Sequence, residues 1–319
     1  MAGKTALVTG GTGFVGANLT RRLLREGCQV HLLVRLGHAT WRLEGIRDQV
    51  HLHQVELSDR AGLDRLVTQV RPEWVFHLAA YGAYSWQTEL PQMIQTNIAG
   101  TVELVEACAQ VGFAAFVNTG SSSEYGAKDH PPAEDELPEP NSHYACAKVA
   151  ATLFCRHTAQ SQNLQLPTLR LYSAYGPYED PGRLFPTLVR KGLRGELPPL
   201  VSPETMRDYV YVEDVCEAYL LAASQPGQEP GAVYNVGTGA QTSLRQLVEL
   251  ARQELGIAAE PEWGSMPARS WDTRVWVADN RCIRQKLGWE PRTSLVEGFR
   301  QTVEWYRQHA HLLPEEKGG

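Results

Sequence analysis

The chain has 319 residues, more than the ~100–200 of a typical domain, so we expect a large core and a second lobe. Its composition, 43% hydrophobic and 21% charged, is ordinary for a globular protein. The net charge of -6, with no basic run, argues against a nucleic-acid partner, and no apolar run approaches the ~18–20 residues that span a bilayer. We therefore predict a cytoplasmic protein without nucleic-acid or membrane partners and without a metal site. Its six cysteines lie far apart, which predicts buried thiols.

Three glycines follow the first apolar strand, at positions 6–8. They are Gly10, Gly13 and Gly16, and an amphipathic segment starts directly behind them. In a strand-to-helix turn the first glycine can take positive φ, the second lets backbone approach a pyrophosphate, and the third lets the helix pack on the strand. The N–H groups and the dipole of the helix start favour phosphate. The pattern predicts a dinucleotide site.

Strands and helices alternate further along the chain. We predict a helix over residues 18–26, strands over 29–34, 51–57 and 74–79, a helix from 59 to about 70, a long helix over 92–111 and a fifth strand over 114–119. This alternation predicts an α/β fold with a doubly wound parallel sheet of the Rossmann type. We expect residues 1–172 to form the dinucleotide-binding domain, with a return at about 208–238. Residues 173–319 should form most of a smaller lobe.

The ends of the predicted strands point to cofactor contacts. A carboxylate after the second strand would bind a ribose 2′-OH, whereas a cation suits a 2′-phosphate. Arg35 stands at that position, which favours NADP and leaves NAD possible. After the third strand, Glu56 and Leu57 are candidate neighbours of the adenine. Ala79 and Ala80, after the fourth strand, are small enough for a cofactor to pass.

A tyrosine and a lysine at helical spacing carry the predicted chemistry. Tyr144 and Lys148 are four residues apart, so a helix places their side chains next to each other. A phenol has a pKa of ~10, and a nearby ammonium favours its phenolate form, so the pair can serve as acid and base. Ser121, at the end of the fifth strand, can hold the substrate oxygen whose proton Tyr144 moves.

Together these residues resemble a known family, the extended short-chain dehydrogenases/reductases that act on nucleotide sugars. The resemblance covers nearly the whole chain. It rests on Asn97, Ser121, the Tyr144-x-x-x-Lys148 pair and the segments TGGTGFVG (9–16), HLAA (77–80), RLYSAYGP (170–177), RDYVYVEDV (207–215), YNVGTG (234–239) and LGWEP (287–291).

The resemblance implies a role for each of these positions. Tyr144 would be the acid/base, Lys148 would bind the nicotinamide ribose and lower the pKa of Tyr144, and Ser121 would be the catalytic serine. Arg207 and Arg269 match positions that clamp the diphosphate of a nucleotide sugar, and a homodimer is implied. Tyr144 would also contact the cofactor. The remaining implied contacts are Phe14, Val15, Leu78, Tyr81, Asn97 and Tyr172 for the cofactor, and Ser122, Ser123 and Ser173 for the substrate.

Departures from the family pattern bear on the reaction. The 4,6-dehydratases place an acidic pair directly after the catalytic residue, where this chain has Ser122 and Ser123, and Glu124 is displaced by one position. A shift by one residue at a strand end turns the side chain to the opposite side. The Ser-Ser-x-Glu-Tyr-Gly segment looks more like the 4-ketoreductases of 6-deoxy sugars. Arg35 and the Trp-Arg-Leu segment at 41–43 look like the NADP-using GDP-mannose dehydratases.

We therefore expect hydride transfer at C4 of a nucleoside diphosphate sugar, by a 4-keto-6-deoxy-sugar reductase or a 4-epimerase. One alternative is a nucleotide-sugar 4,6-dehydratase. Another is a non-catalytic, redox-sensing protein that binds NAD(P). The redox-sensing alternative predicts a broken catalytic triad, and Ser121, Tyr144 and Lys148 are intact.

Overall fold

The computed structural model describes residues 1–84, 86–225, 227–267 and 275–312. The described residues form these strands: β1 (Thr5–Thr9), β2 (Gln29–Val34), β3 (His51–Gln54), β4 (Trp74–His77), β5 (Ala115–Ser121), β6 (Thr168–Leu171), β7 (Ser173–Tyr175), β8 (Met206–Arg207), β9 (Tyr209–Tyr211), β10 (Val233–Val236) and β11 (Thr242–Ser243). Seven of them pair in parallel in the order β10-β6-β5-β4-β1-β2-β3. The order reverses at β1, so the sheet is doubly wound and the predicted Rossmann-type fold is confirmed.

Helices cover both faces of this sheet. The α-helices of the described residues are α1 (Phe14–Arg25), α2 (Arg60–Val70), α3 (Leu90–Ile94), α4 (Gly100–Val111), α5 (His143–Gln162), α6 (Leu184–Gly192), α7 (Val212–Ser224), α8 (Leu244–Leu255), α9 (Arg281–Leu287) and α10 (Leu295–Gln308), of which α6, α8 and α10 pack together away from the sheet. Alternate residues of β1 point to opposite faces, so Val8 packs with Leu19 of α1 and Tyr219 of α7, while Leu7 packs with Leu104 of α4. Both faces are therefore buried, as an all-parallel sheet requires.

A third apolar cluster lies outside the sheet. It joins α6, α8 and α10 through the buried side chains of Phe185, Leu247 and Phe299. Two small sheets, β7 with β9 and β8 with β11, adjoin it. Meanwhile β10 completes the edge of the large sheet beside β6, far along the chain. The domain boundary at residue 172 stays a prediction.

The long helix predicted over residues 92–111 is three pieces in the structure. Between α3 and α4 the segment Gln95–Ala99 is wound as a π-helix. There the side-chain amide of Asn97 bonds both the N–H and the carbonyl of Tyr81, at 2.9 and 2.6 Å. The Thr101 hydroxyl also donates to the Asn97 carbonyl. The wider winding thus coincides with contacts that a periodic sequence pattern does not reveal.

Solvent exposure corrects the cysteine prediction in part. Cys146 is exposed and Cys282 half-buried, and the other four thiols are buried. None of the helices in the described ranges is long and apolar enough to cross a membrane. Within the same ranges, no group of three or more His, Cys, Asp or Glu side chains could hold a metal ion.

Candidate active site

The turn between β1 and α1 cannot accept side chains at two of its glycines. Gly10 has φ +70°, and a Cβ there would come within 2.6 Å of the Leu78 carbonyl carbon. A Cβ at Gly16 would overlap the carbonyl oxygen of Gly10. The Gly13 N–H donates to that same oxygen at 2.9 Å, which closes the turn. The sequence predicted the positive φ of Gly10; for Gly16 it predicted packing of the helix on the strand, and the atoms that a side chain there would meet belong to the turn.

The start of α1 fits a diphosphate. Gly13 is its N-cap, and no side chain of the described residues caps it by a hydrogen bond. The N–H groups of Phe14 and Val15 in the first turn therefore face outward with the positive end of the helix dipole. Backbone donors without a competing side chain are what the phosphates of a dinucleotide require.

The segment after β4 lies against the glycine turn. The Ala79 N–H donates to the Thr9 hydroxyl at 3.1 Å, and that hydroxyl bonds His77 Nδ1 at 2.7 Å. Burial lowers the pKa of His77 to about 3, so its ring is neutral. Leu78, Ala79, Ala80 and Tyr81 thus follow a rigid strand end beside Gly10, and Asn97 holds Tyr81 in place.

The proposed adenosine contacts lie at the same carboxyl edge of the sheet as the glycine turn, where β2 and β3 end. Arg35 is exposed directly after β2. The carboxylate of Glu56 accepts a hydrogen bond from the Leu36 N–H at 3.1 Å, which places Glu56 beside Arg35. Leu57 is half-buried and packs against Gly100 at the start of α4.

The structure also brings the predicted catalytic side chains together. Ser121 ends β5, and Tyr144 and Lys148 lie in the first turns of α5, which the Ser142 side chain caps. The Ser121 side chain lies close enough to the Tyr144 phenol to oppose the rise in its pKa. Lys148 is only 4% exposed. A hydrogen bond between Ser121 Oγ and Ser123 Oγ, 2.8 Å long, holds the Ser121 hydroxyl in place.

The expected lowering of the tyrosine pKa does not appear in this arrangement. Burial, the larger cause, and the negative charge of Glu124 raise the pKa of Tyr144 to about 12. The Ser121 side chain lowers this pKa, but by less. Burial also lowers the pKa of Lys148, whereas Glu124 and Cys155 raise it by a smaller amount. The physical reason is that desolvation of the phenol outweighs the ammonium that the sequence placed beside it.

A buried ion pair lies beneath these residues. Arg170 Nε donates to Glu124 Oε2 at 2.8 Å, and both side chains are buried. The other oxygen, Glu124 Oε1, accepts from the Ser121 N–H at 2.8 Å. Both carboxylate oxygens of Glu124 therefore accept hydrogen bonds, and the carboxylate holds the backbone of Ser121 in place. The sequence suggested only that Glu124 is turned away and gave no partner, since Arg170 lies 46 residues farther along.

One predicted substrate contact, Ser122, and one predicted cofactor contact, Tyr172, lie at the same small cavity. Ser122, Tyr172 and Trp276 line it together. The buried hydroxyl of Tyr172 has no hydrogen-bond partner among the described residues, so a ligand group could satisfy it. Ser173 lies in β7 and pairs with Tyr209 of β9. Arg207 lies on β8, with its Cζ 5.3 Å from the Trp276 ring centroid, and Arg269 lies outside the described residues.

The chain matches the NAD dependent epimerase/dehydratase family over residues 6–237. It is 34% identical to a UDP-glucose 4-epimerase of Mycolicibacterium smegmatis, over 94% of this chain and 98% of that protein. The chain belongs to the NAD-dependent epimerase/dehydratase family. The resemblance to the extended short-chain dehydrogenases/reductases is thereby confirmed, and the protein is an enzyme of that type.

The chain is similar to other epimerases and dehydratases at comparable sequence identity. A dTDP-glucose 4,6-dehydratase of Xanthomonas campestris is 29% identical, over 95% of this chain and 93% of that protein. A crystal structure of Thermus thermophilus UDP-glucose 4-epimerase in complex with NAD is 31% identical, covers 96% of this chain and 99% of that chain, and has a TM-score of 0.82. The family dependence on NAD agrees with the glycine turn described above.

Proposed function

We propose that this protein is a nucleotide-sugar 4-epimerase that uses a nicotinamide dinucleotide. The approach of the Ser121 side chain to the Tyr144 phenol carries the proposal, with buried Lys148 one helical turn away. The glycine turn fits the cofactor, as does the Tyr172 hydroxyl, which lacks a hydrogen-bond partner within the described ranges. The two related UDP-glucose 4-epimerases support the same reaction.

Each side chain has a distinct task in this reaction. A bound nicotinamide supplies reversible hydride transfer. Ser121 holds the C4 oxygen of the sugar, and Tyr144 takes its proton when the sugar is oxidised and returns it when the sugar is reduced. Lys148 binds the ribose, and its positive charge favours the phenolate. The raised pKa of Tyr144 keeps the proton available for the return step.

The engagement of Glu124 separates the alternatives. Elimination in a 4,6-dehydratase needs a free acidic group next to the sugar, and both Glu124 oxygens are bound to Arg170 and the Ser121 N–H. A 4-keto-6-deoxy-sugar reductase needs only the Ser121, Tyr144 and Lys148 set. It is therefore the second candidate, favoured by the Ser-Ser-x-Glu-Tyr-Gly segment at 121–126.

Product analysis with UDP-glucose, dTDP-glucose and their 4-keto-6-deoxy derivatives tests the proposal. Formation of the C4 epimer with no net change in nicotinamide absorbance supports an epimerase, whereas net loss of reduced cofactor with a keto sugar indicates the reductase. We expect Tyr144→Phe to lower turnover by ~100-fold or more, because the proton carrier is lost, with cofactor affinity nearly unchanged. Normal turnover in that variant would contradict the assignment.

We further propose that the enzyme prefers NADP. The exposed guanidinium of Arg35 directly after β2 supports this, since it can pair with a 2′-phosphate. Arg35→Ala should weaken NADPH binding by ~10-fold and leave NADH binding unchanged, as measured by fluorescence titration. Equal affinities of the native protein for the two cofactors would refute the preference.

The finer assignments on the substrate side and the assembly are also proposals. Arg207 beside Trp276, together with Arg269, would hold the diphosphate of the nucleotide sugar. A homodimer is supported by exposed apolar side chains on two neighbouring helices, Leu90 and Ile94 on α3 and Leu153 on α5. The cytoplasmic location stays a prediction.

A further inference from the structure

Arg42 is a buried arginine outside the site described so far. It lies in the single-turn helix Trp41–Leu43 and is 7% exposed. Its ion-pair partner, Asp180, is 3.9 Å away, and burial lowers the pKa of Arg42. A buried guanidinium with so loose a partner is costly. The burial of Arg42 therefore needs an explanation other than a surface ion pair.

The hydrogen bonds of Arg42 join two parts of the molecule. Its Nε donates to the Tyr178 carbonyl at 2.7 Å, and its Nη1 donates to the Thr12 carbonyl at 3.4 Å. Thr12 lies in the glycine turn, between Gly10 and Gly13. Tyr178 lies where the chain leaves β7 and runs into α6 of the smaller lobe. One planar side chain therefore ties the cofactor turn to the entrance of that lobe.

The surroundings of Tyr178 hold it rigidly for this contact. Its φ is +67°, a left-handed conformation that a bulky residue rarely adopts without support. The Arg21 guanidinium lies 3.9 Å from the Tyr178 ring centroid, and Arg21 also donates to the Arg42 carbonyl at 2.8 Å. On the side of the smaller lobe the ring packs on Trp305 of α10, with centroids 4.6 Å apart.

A second link runs parallel to the first. The Asn18 amide on α1 donates to the Pro177 carbonyl at 2.8 Å. The glycine turn and its helix therefore both contact the segment that leads into α6. A ligand that fixes either end of these links also restricts the other end.

We propose that Arg42 is a positioning residue that couples the cofactor site to the substrate lobe, so that each ligand strengthens binding of the other. The inference rests on the proposed function for the existence of two ligand sites. Coupling between sites is reciprocal, so the factor by which the cofactor tightens nucleotide binding equals the factor by which the nucleotide tightens cofactor binding.

Calorimetry with UDP, dTDP, GDP and CDP as probes tests this coupling. Each is titrated into the protein with and without saturating NADH or NADPH. We expect the reduced cofactor to tighten binding of the preferred nucleotide by ~10-fold in the native protein. In Arg42→Ala the factor should fall below ~2-fold, while nucleotide affinity without cofactor changes little.

Two further variants separate coupling from general damage. Arg42→Lys should keep part of the effect, because an ammonium can reach one carbonyl but lacks the planar fork that spans both. The exposed Arg47, in the neighbouring turn, is a matched control, and Arg47→Ala should keep the full factor. Thermal melting of each variant checks folding, and Arg42→Lys carries the test if Arg42→Ala fails to fold.

The outcomes distinguish the inference from the proposed function. Nucleotide binding without any effect of the cofactor, or an effect that survives in Arg42→Ala, overturns the coupling and leaves the proposed function intact. If none of the four nucleotides binds and no nucleotide sugar is turned over, the proposed function fails and the coupling fails with it.

Discussion

Glu179 is a buried carboxyl with an unusual charge state. It is 7% exposed, and its Oε2 has no hydrogen-bond partner among the described residues. Burial and Asp180 raise its pKa to about 8, while Arg183, the Gly176 N–H and Arg42 act in the opposite direction. At neutral pH the side chain is therefore mostly protonated, unlike an ordinary glutamate.

This raised pKa predicts a dependence of stability on pH. Between pH ~4.5 and ~8 the unfolded carboxyl is ionised while the folded one keeps its proton, so the free energy of unfolding falls as pH rises through this window and levels off above it. Glu179→Gln removes the titrating group. Its stability relative to the native protein should rise by about 3–5 kcal/mol from pH 4.5 to pH 8, measured by urea unfolding.

A matched control for this experiment is the exposed Glu196. Glu196→Gln makes the same substitution on a side chain exposed to solvent, and it should not reproduce the rise between the two pH values. A constant difference between Glu179→Gln and the native protein across the window would show that Glu179 is ionised when folded.

At the scale of elements, the short helix Ser122–Tyr125 connects the reaction centre to the buried ion pair. Ser121 and Glu124 form its capping box, in which each side chain bonds the backbone of the other end. Glu124 then reaches Arg170 on β6. The negative charge of Glu124 therefore acts on Tyr144 from a fixed distance and contributes to its raised pKa.

Neutralising that charge should change both activity and stability. Because Glu124 raises the pKa of Tyr144, Glu124→Gln should let the rate of sugar oxidation rise at lower pH than in the native enzyme. It should also destabilise the fold by about 3–5 kcal/mol, since Arg170 keeps an uncompensated buried charge. Stopped-flow rates against pH and denaturant unfolding measure the two effects.

The exposed Asp135, in the loop that precedes α5, provides the comparison. Asp135→Asn removes the same charge at the surface and should leave the pH profile where it is. An unchanged profile in Glu124→Gln would mean that Glu124 serves only the fold.

These elements also show what sequence reasoning can reach. The glycine turn, the alternation of strands and helices and the Tyr144–Lys148 pair follow from local spacing, and local spacing decides backbone geometry. The ion pair of Glu124 with Arg170 and the contacts of Arg42 join residues far apart in the chain, so no local sequence pattern predicts them. The raised pKa of Tyr144 was missed for the same reason, because burial is set by the packed whole.

For the whole molecule, α5 would link the catalytic residues to the interface of the proposed homodimer. Its inner side carries Lys148, buried under the sheet, and its outer side carries Leu153, which is 54% exposed. Beside it, Leu90 and Ile94 of α3 are 39% and 47% exposed. An apolar side chain in water loses the stabilisation that burial would provide, so this surface favours contact with a second copy of the chain.

The predicted homodimer can be tested by disrupting this surface. Light scattering should give the native protein twice the 35.4 kDa chain mass, and Leu153→Asp should give the single chain mass, because a charge cannot be buried unpaired in an apolar interface. Val296, 39% exposed on α10 of the smaller lobe, is the control, and Val296→Asp should stay dimeric. A native protein that scatters as a single chain would refute the homodimer and assign the exposed face of α3 and α5 to another partner.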